Sequence, residues 1–193
     1  MTTYLEDFNR GSIGTTAPNG ATYVNNGGWT IDSNQGLSGA NADWKTLVYE
    51  HGLTNPAMEV EPVSTDVDDY WGIIVRYTDE NNWIVVACDK ASNYLSCFRR
   101  ESGFDFTIQN FLVGVPGPYP IKVEVNGNDF LCYANGVYVG TVTSSFISSA
   151  TYAGIGAFGE SRFDNFSIYT VDVPPEEPAA ASVDGGWGFI PIV

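Results

Sequence analysis

Ile121-Lys122-Val123-Glu124-Val125-Asn126-Gly127 alternates apolar and charged residues and then reaches a turn pair. Side chains of a strand point alternately to its two faces, so this period of two marks a half-buried β-strand. The chain resumes as Phe130-Leu131-Cys132-Tyr133, meets Asn135-Gly136, and continues as Val137-Tyr138-Val139. Asn-Gly suits the positive φ angles of a type I′ hairpin turn. The stretch therefore predicts three consecutive antiparallel strands between 120 and 143.

Upstream, Tyr70-Trp71-Gly72-Ile73-Ile74-Val75-Arg76-Tyr77 and Asn82-Trp83-Ile84-Val85-Val86-Ala87 flank the polar loop Thr78-Asp79-Glu80-Asn81. These runs are almost continuously apolar, which predicts central strands covered on both faces. Further β-branched and aromatic runs at 3–8, 28–32, 45–51, 56–64, 94–101, 104–113, 152–158 and 162–170 are punctuated by Gly, Asn, Asp and Pro. Helical periodicity is nearly absent. The pattern predicts an all-β fold of two stacked antiparallel sheets.

The chain has 193 residues, 44% of them hydrophobic and 14% aromatic, which excludes a disordered or collagen-like polypeptide. Eight Lys and Arg against 23 Asp and Glu give a net charge of −15, a field that repels phosphate backbones and anionic headgroups. Nucleic-acid binding and membrane insertion are thus not expected. No apolar run reaches the roughly 18 residues of a membrane span, and Met1-Thr2-Thr3-Tyr4-Leu5-Glu6-Asp7 lacks the features of a signal peptide. Synthesis in the cytoplasm, with release by lysis, is the expectation.

Three cysteines, Cys88, Cys97 and Cys132, leave one over whatever pairs, and all three are expected free and buried. His51 is the only histidine and is far in sequence from any Cys, which argues against zinc and against Ser-His or Cys-His catalysis. It reads as a surface or edge histidine. Residues 1–171 are assigned to the sandwich and 172–184, with Pro174-Pro175-Glu176-Glu177-Pro178, to an extended linker. Residues 185–193 form an apolar segment in which Trp187, Phe189, Ile190, Ile192 and Val193 would dock on the same domain or on another subunit.

Several of these pieces together resemble the concanavalin A-like/laminin G-like jelly roll. Leu5-Glu6-Asp7-Phe8-Asn9-Arg10, a Gly/Thr-rich loop and Gly28-Trp29-Thr30-Ile31 resemble the opening strand of such domains. The hairpin at 71–85 and the strands from Ile121 to Gly140 resemble the middle. Ala153-Gly154-Ile155-Gly156-Ala157-Phe158 and Arg162-Phe163-Asp164-Asn165-Phe166-Ser167-Ile168 resemble the closing strand. The resemblance implies a jelly-roll sandwich with an extended C-terminal tail. The Phe-Asn-Arg variant looks most like domains of phage virion proteins, minor tail or capsid-decoration proteins in particular. It implies a non-enzymatic virion component, self-associating and attached to other virion proteins through its C-terminal segment. The alternative is a carbohydrate-binding adhesion module that recognises a host-surface glycan.

The sequence offers residues for three kinds of site. Glucanases of this fold carry an E-x-D-x-x-E strand, but here Met58-Glu59-Val60-Glu61-Pro62-Val63 lacks the central Asp and last Glu, so no enzyme is expected and Glu59 and Glu61 read as the wet face of an edge strand. The fold makes the first and last long strands neighbours, which would bring Glu6 or Asp7 towards Asp164 and Asn165 as a structural calcium site. The preferred reading has Asp164 and Asn165 satisfying local backbone groups, and no cofactor is required. For a glycan, the candidates are Trp44, Tyr94, Arg99 and Arg100. Arg76, Arg99 and Arg100 on successive strands suggest a positive ridge, unless carboxylates pair with them.

Overall fold

A computed structural model of the chain describes residues 3–10, 12–39, 43–65, 70–89, 93–114 and 117–171. Fifteen strands are formed in this order: β1 (Thr3–Glu6), β2 (Val24–Asn26), β3 (Thr30–Asp32), β4 (Gln35–Leu37), β5 (Trp44–Glu50), β6 (Pro56–Thr65), β7 (Tyr70–Asp79) and β8 (Asn82–Asp89). There follow β9 (Tyr94–Glu101), β10 (Phe104–Leu112), β11 (Ile121–Asn126), β12 (Asp129–Ala134), β13 (Val137–Thr143), β14 (Tyr152–Phe158) and β15 (Ser161–Thr170). All pairings are antiparallel. One sheet runs β13-β12-β11-β6-β15-β4-β3, with β1 also on β15, and the other runs β10-β9-β8-β7-β14-β5-β2. They stack as a jelly-roll sandwich.

Every run read from the sequence as a strand is one. The two strands not foreseen, β2 and β4, are three residues each (Val-Asn-Asn and Gln-Gly-Leu), too short and polar to show a period. The 120–143 segment forms β11, β12 and β13 in register Ile121↔Ala134 and Ala134↔Val137. Its turns differ. At Asn135-Gly136 both residues have positive φ, as type I′ requires, whereas β11 pairs Asn126 with Asp129, so its loop is Gly127-Asn128 and only Gly127 has positive φ.

Between the sheets lies a core that includes Trp71, Ile73 and Val86 from one sheet and Met58, Val123, Phe130 and Phe163 from the other. Trp71 packs on Phe163 and Tyr119, with ring centroids 6.4 and 6.0 Å apart. Glu6 is buried beside this core with its carboxylate fully engaged. It accepts from Phe8 N at 2.9 Å, from Arg10 Nη2 at 2.5 Å and from the Tyr23 hydroxyl. Burial and the Glu6 charge both raise the Tyr23 pKa, so the hydroxyl remains a donor.

Two expectations need correction. Strand β6 is not an edge, because β11 and β15 pair on its two sides. His51 is buried at 6% exposure; its Nδ1 accepts from Leu53 N at 3.0 Å, and burial pushes its pKa down to about 4. The three cysteines are free and buried, as expected.

Candidate functional site

The outer face of the seven-stranded sheet carries a second apolar cluster that includes Trp44, Val48, Ile74, Tyr77, Trp83 and Val85. Trp44 sits at its centre, 5.2 Å from Trp83, 6.2 Å from Tyr70 and 6.3 Å from Phe158 by ring centroids. The pairing of β7 with β8 slips between Ile74 and Arg76 and again between Tyr77 and Asp79. Such bulges bend a strand and sharpen its twist. The tip of the β7–β8 hairpin, Thr78–Asn82, accordingly stands opposite Val24–Asn26 of β2.

Between tip and β2 lies an open cleft of about 740 Å³, floored by Tyr77 and Tyr152. A second recess of about 300 Å³ continues from it past Gly27 to Asp43, Lys45 and Arg100. Gly27 is required there: its φ is +99°, and a Cβ would lie 2.2 Å from the Lys45 side chain. A third, apolar recess of about 180 Å³ lies beyond Trp44, between Tyr70, Phe98, Phe158 and Asp105. Volumes of this order suit small polar ligands with a few ring faces to stack on.

The polar side chains of the cleft divide into builders and presenters. Asn25 is spent on Trp29, accepting from its N at 3.0 Å and donating to its O at 3.1 Å. Asp79 accepts from Asn81 N at 2.8 Å and from Asn82 Nδ2 at 2.9 Å, while Asn82 Oδ1 accepts from Ser102 N at 3.2 Å. These bonds set the hairpin tip and tie it to the β9–β10 turn. By contrast, the side chains of Asn26, Glu80 and Asn81 have no hydrogen-bond partner among the described residues. The same three residues line both the cleft and the recess that continues it. Two amides and a carboxylate offer donors and acceptors in one place.

Arg100 closes the polar end. Its Nε and Nη2 hold Asp105 at 2.8 and 3.1 Å, Nη2 also reaches Asp43 at 3.1 Å, and the guanidinium lies 5.1 Å above the Trp83 ring. Hydrogen bonding to Asp105 raises its pKa further. Lys45 is engaged as well, donating to the carbonyls of Asp43 at 3.1 Å and Gly159 at 3.3 Å.

Of the residues singled out for a glycan, the structure brings Trp44 and Arg100 to this site and leaves Tyr94 and Arg99 elsewhere. Trp44 is only 8% exposed, so it floors a recess and is not an exposed plate. Arg99 points to the other face of the sheet, over Phe106 and Phe146, with Glu101 at 3.2 Å. Tyr94 is exposed and lines none of these recesses. No positive ridge forms: Arg100 is paired outward and Arg99 inward, and Arg76 is buried, donating to the carbonyls of Gly127, Ser144 and Phe146. Asn26, Glu80 and Asn81 were not among the site residues expected from the sequence. The signal available was the Asn-Asn doublets at 25–26 and 81–82 beside aromatic strands.

The residues considered for calcium do not converge. β1 and β15 are neighbours, with Glu6 opposite Phe166, but the Glu6 carboxylate turns inward. Asp7 accepts from Asn9 N at 3.1 Å, Asp164 from Asn165 N at 2.8 Å, and Asn165 Nδ2 donates to Glu61 at 2.8 Å. Among the described residues no group of three or more His, Cys, Asp or Glu is placed to hold a metal ion. Trp187, Phe189, Ile190, Ile192 and Val193 lie outside the described residues.

No protein-family model matches the chain, and no curated protein matches it in sequence. Solved structures do match in shape. The carbohydrate-binding module CBM66 from Bacillus subtilis has a TM-score of 0.64 at 14% identity, over 77% of this chain and 95% of that one. A GH43 protein, BlXynB, from Bacillus licheniformis has a TM-score of 0.65 at 15% identity; the match covers 87% of this chain but only 39% of that protein. A third, described as a native glycosidic hydrolase, has a TM-score of 0.60 at 11% identity over 90% and 98% of the two chains. At such identities the likeness shows the fold: a jelly-roll β-sandwich of the kind found in carbohydrate-binding modules and GH43 proteins.

Proposed function

We propose that this chain is a non-catalytic carbohydrate-binding module whose ligand lies in the cleft between the β7–β8 tip and β2. The observation that carries this reading is the meeting of Asn26, Glu80 and Asn81, none with a side-chain hydrogen-bond partner among the described residues, beside the tyrosine floor of Tyr77 and Tyr152. Sugars offer hydroxyls to amides and carboxylates and C–H faces to rings, and this cleft supplies both. The structural neighbours support it, since one is itself a carbohydrate-binding module. They favour it over a virion part, although a protein displayed on a particle would use the same cleft to hold a host glycan.

The test is retention of the folded protein on immobilised polysaccharides. The double variant Asn26→Ala, Asn81→Ala is expected to lose retention by about tenfold or more, one lost polar contact being worth about 1 kcal/mol. Its denaturation midpoint should stay close to wild type, because neither side chain has a hydrogen-bond partner among the described residues. Unchanged retention by the double variant would remove the cleft from the proposal. Release of sugar ends from a retained polysaccharide, abolished by Glu59→Gln, would overturn the non-catalytic part.

A further inference from the structure

We infer that the cleft selects neutral glycans and rejects acidic ones such as uronates and sulfated sugars. The inference rests on the carbohydrate-binding reading above and concerns the charge of the ligand.

Four carboxylates border the cleft and its continuing recesses: Asp79 and Glu80 on the hairpin tip, Asp43 before β5 and Asp105 on β10. Among the described residues two cations lie with them, and neither is available. Arg100 is clamped through two nitrogens by Asp105 and bridged to Asp43, so an anionic sugar would have to displace a bidentate carboxylate before touching it. The Lys45 ammonium is turned onto two backbone carbonyls at the rim. Arg10, Arg76, Arg99, Lys122 and Arg162 line none of the three recesses.

Glu80, whose carboxylate has no hydrogen-bond partner among the described residues, stands where the cleft and the recess meet. A ligand that donates hydroxyl hydrogens to this carboxylate gains charge-assisted bonds, whereas a second anion at the same place meets uncompensated repulsion. The net charge of −15 adds a long-range field of the same sign. Asn26 and Asn81 are neutral and accommodate either ligand, so discrimination falls to the carboxylates.

The experiment is affinity electrophoresis of the full chain in native gels cast with matched polysaccharides, EDTA present throughout to prevent bridging by divalent cations. The neutral set is dextran, galactan, mannan, xylan free of glucuronate, and fructan; the acidic set is dextran sulfate, polygalacturonate and alginate. At least one neutral polymer should retard the protein, while every acidic polymer retards it at least about tenfold less, as two or more nearby like charges imply. Retardation by the neutral polymer should also be unchanged when salt is raised from low to physiological strength, since screening acts only on charged partners. Stronger retention on an acidic polymer overturns the inference and leaves the carbohydrate-binding reading standing. Absence of retention on both sets, by a protein shown to be folded, overturns both.

Discussion

The outer faces of the two sheets are built in opposite ways. Along β11 and β15 buried and half-exposed residues alternate, so the outer face of the eight-stranded sheet is wet and carries Lys122, Glu124 and Glu59. Along β5, β7 and β14 nearly every residue is buried, inner and outer alike. The second sheet is thus covered twice, by its partner sheet and by its own bent hairpin and aromatic rings. A polar cleft with a firm base needs such cover, because Glu80 and Asn81 hang from a tip that would otherwise move freely. The wet face has no comparable support.

The largest effect is expected from removing the outer cluster's anchor. Trp83→Ala should cost about 3–5 kcal/mol in chemical denaturation, as for other buried aromatic truncations, and should abolish glycan retention because the tip loses its base. A loss below about 1 kcal/mol would show the outer cluster to be only a lining. His51 comes next. Its folded pKa of about 4 lies below the usual 6.5, so the neutral form is favoured by folding. That contribution is complete above pH 6.5, falls as the unfolded chain takes up the proton, and is exhausted near pH 4. The difference in stability between wild type and His51→Asn should therefore shrink by about 3 kcal/mol between pH 7 and pH 4, shared carboxylate effects cancelling. A constant difference would place the imidazole in water.

Tyr49 has a buried hydroxyl without a hydrogen-bond partner among the described residues, and Tyr49→Phe should raise the denaturation midpoint by an amount worth about 1 kcal/mol. Loss of stability instead would reveal a partner for that hydroxyl. The smallest effect belongs to the wet face. Lys122 lies 2.7 Å from Glu124 and over the Tyr133 ring at 4.9 Å, both charges partly exposed. Lys122→Ala should change stability by at most about 0.5 kcal/mol, and by less in high salt. A cost approaching that of Trp83→Ala would erase the contrast between the two faces.

Much of the fold was legible because burial writes itself into spacing. Ile121 to Val125 alternates since one face is wet, and Tyr70 to Tyr77 does not since both faces are covered. The placement of His51 was not legible: a lone histidine before a glycine turn reads as exposed, and only the fold shows it buried, at a recess it lines with Leu53, Val75 and Val125. The site was legible in part. Trp44 and Arg100 stand out by chemistry, and they do meet. Tyr94 and Arg99 have the same chemistry and fail on position, Arg99 by the side its strand parity gives it. Asn26, Glu80 and Asn81 look like ordinary turn residues, and two slips of register in β7 turn them into neighbours across the cleft. No local rule predicts where a register will slip.

The three buried thiols are clocks for the core that the two sheets share. Cys88 and Cys97 lie in the seven-stranded sheet and Cys132 in the eight-stranded one. Burial lifts the Cys97 thiol well above its usual range and the Cys132 thiol to about 12, so neither reacts while its sheet is closed. All three face the shared core between the sheets, so their alkylation reports the parting of the sandwich, and peptide mass analysis over time would tell whether β8, β9 and β12 become exposed together or in turn.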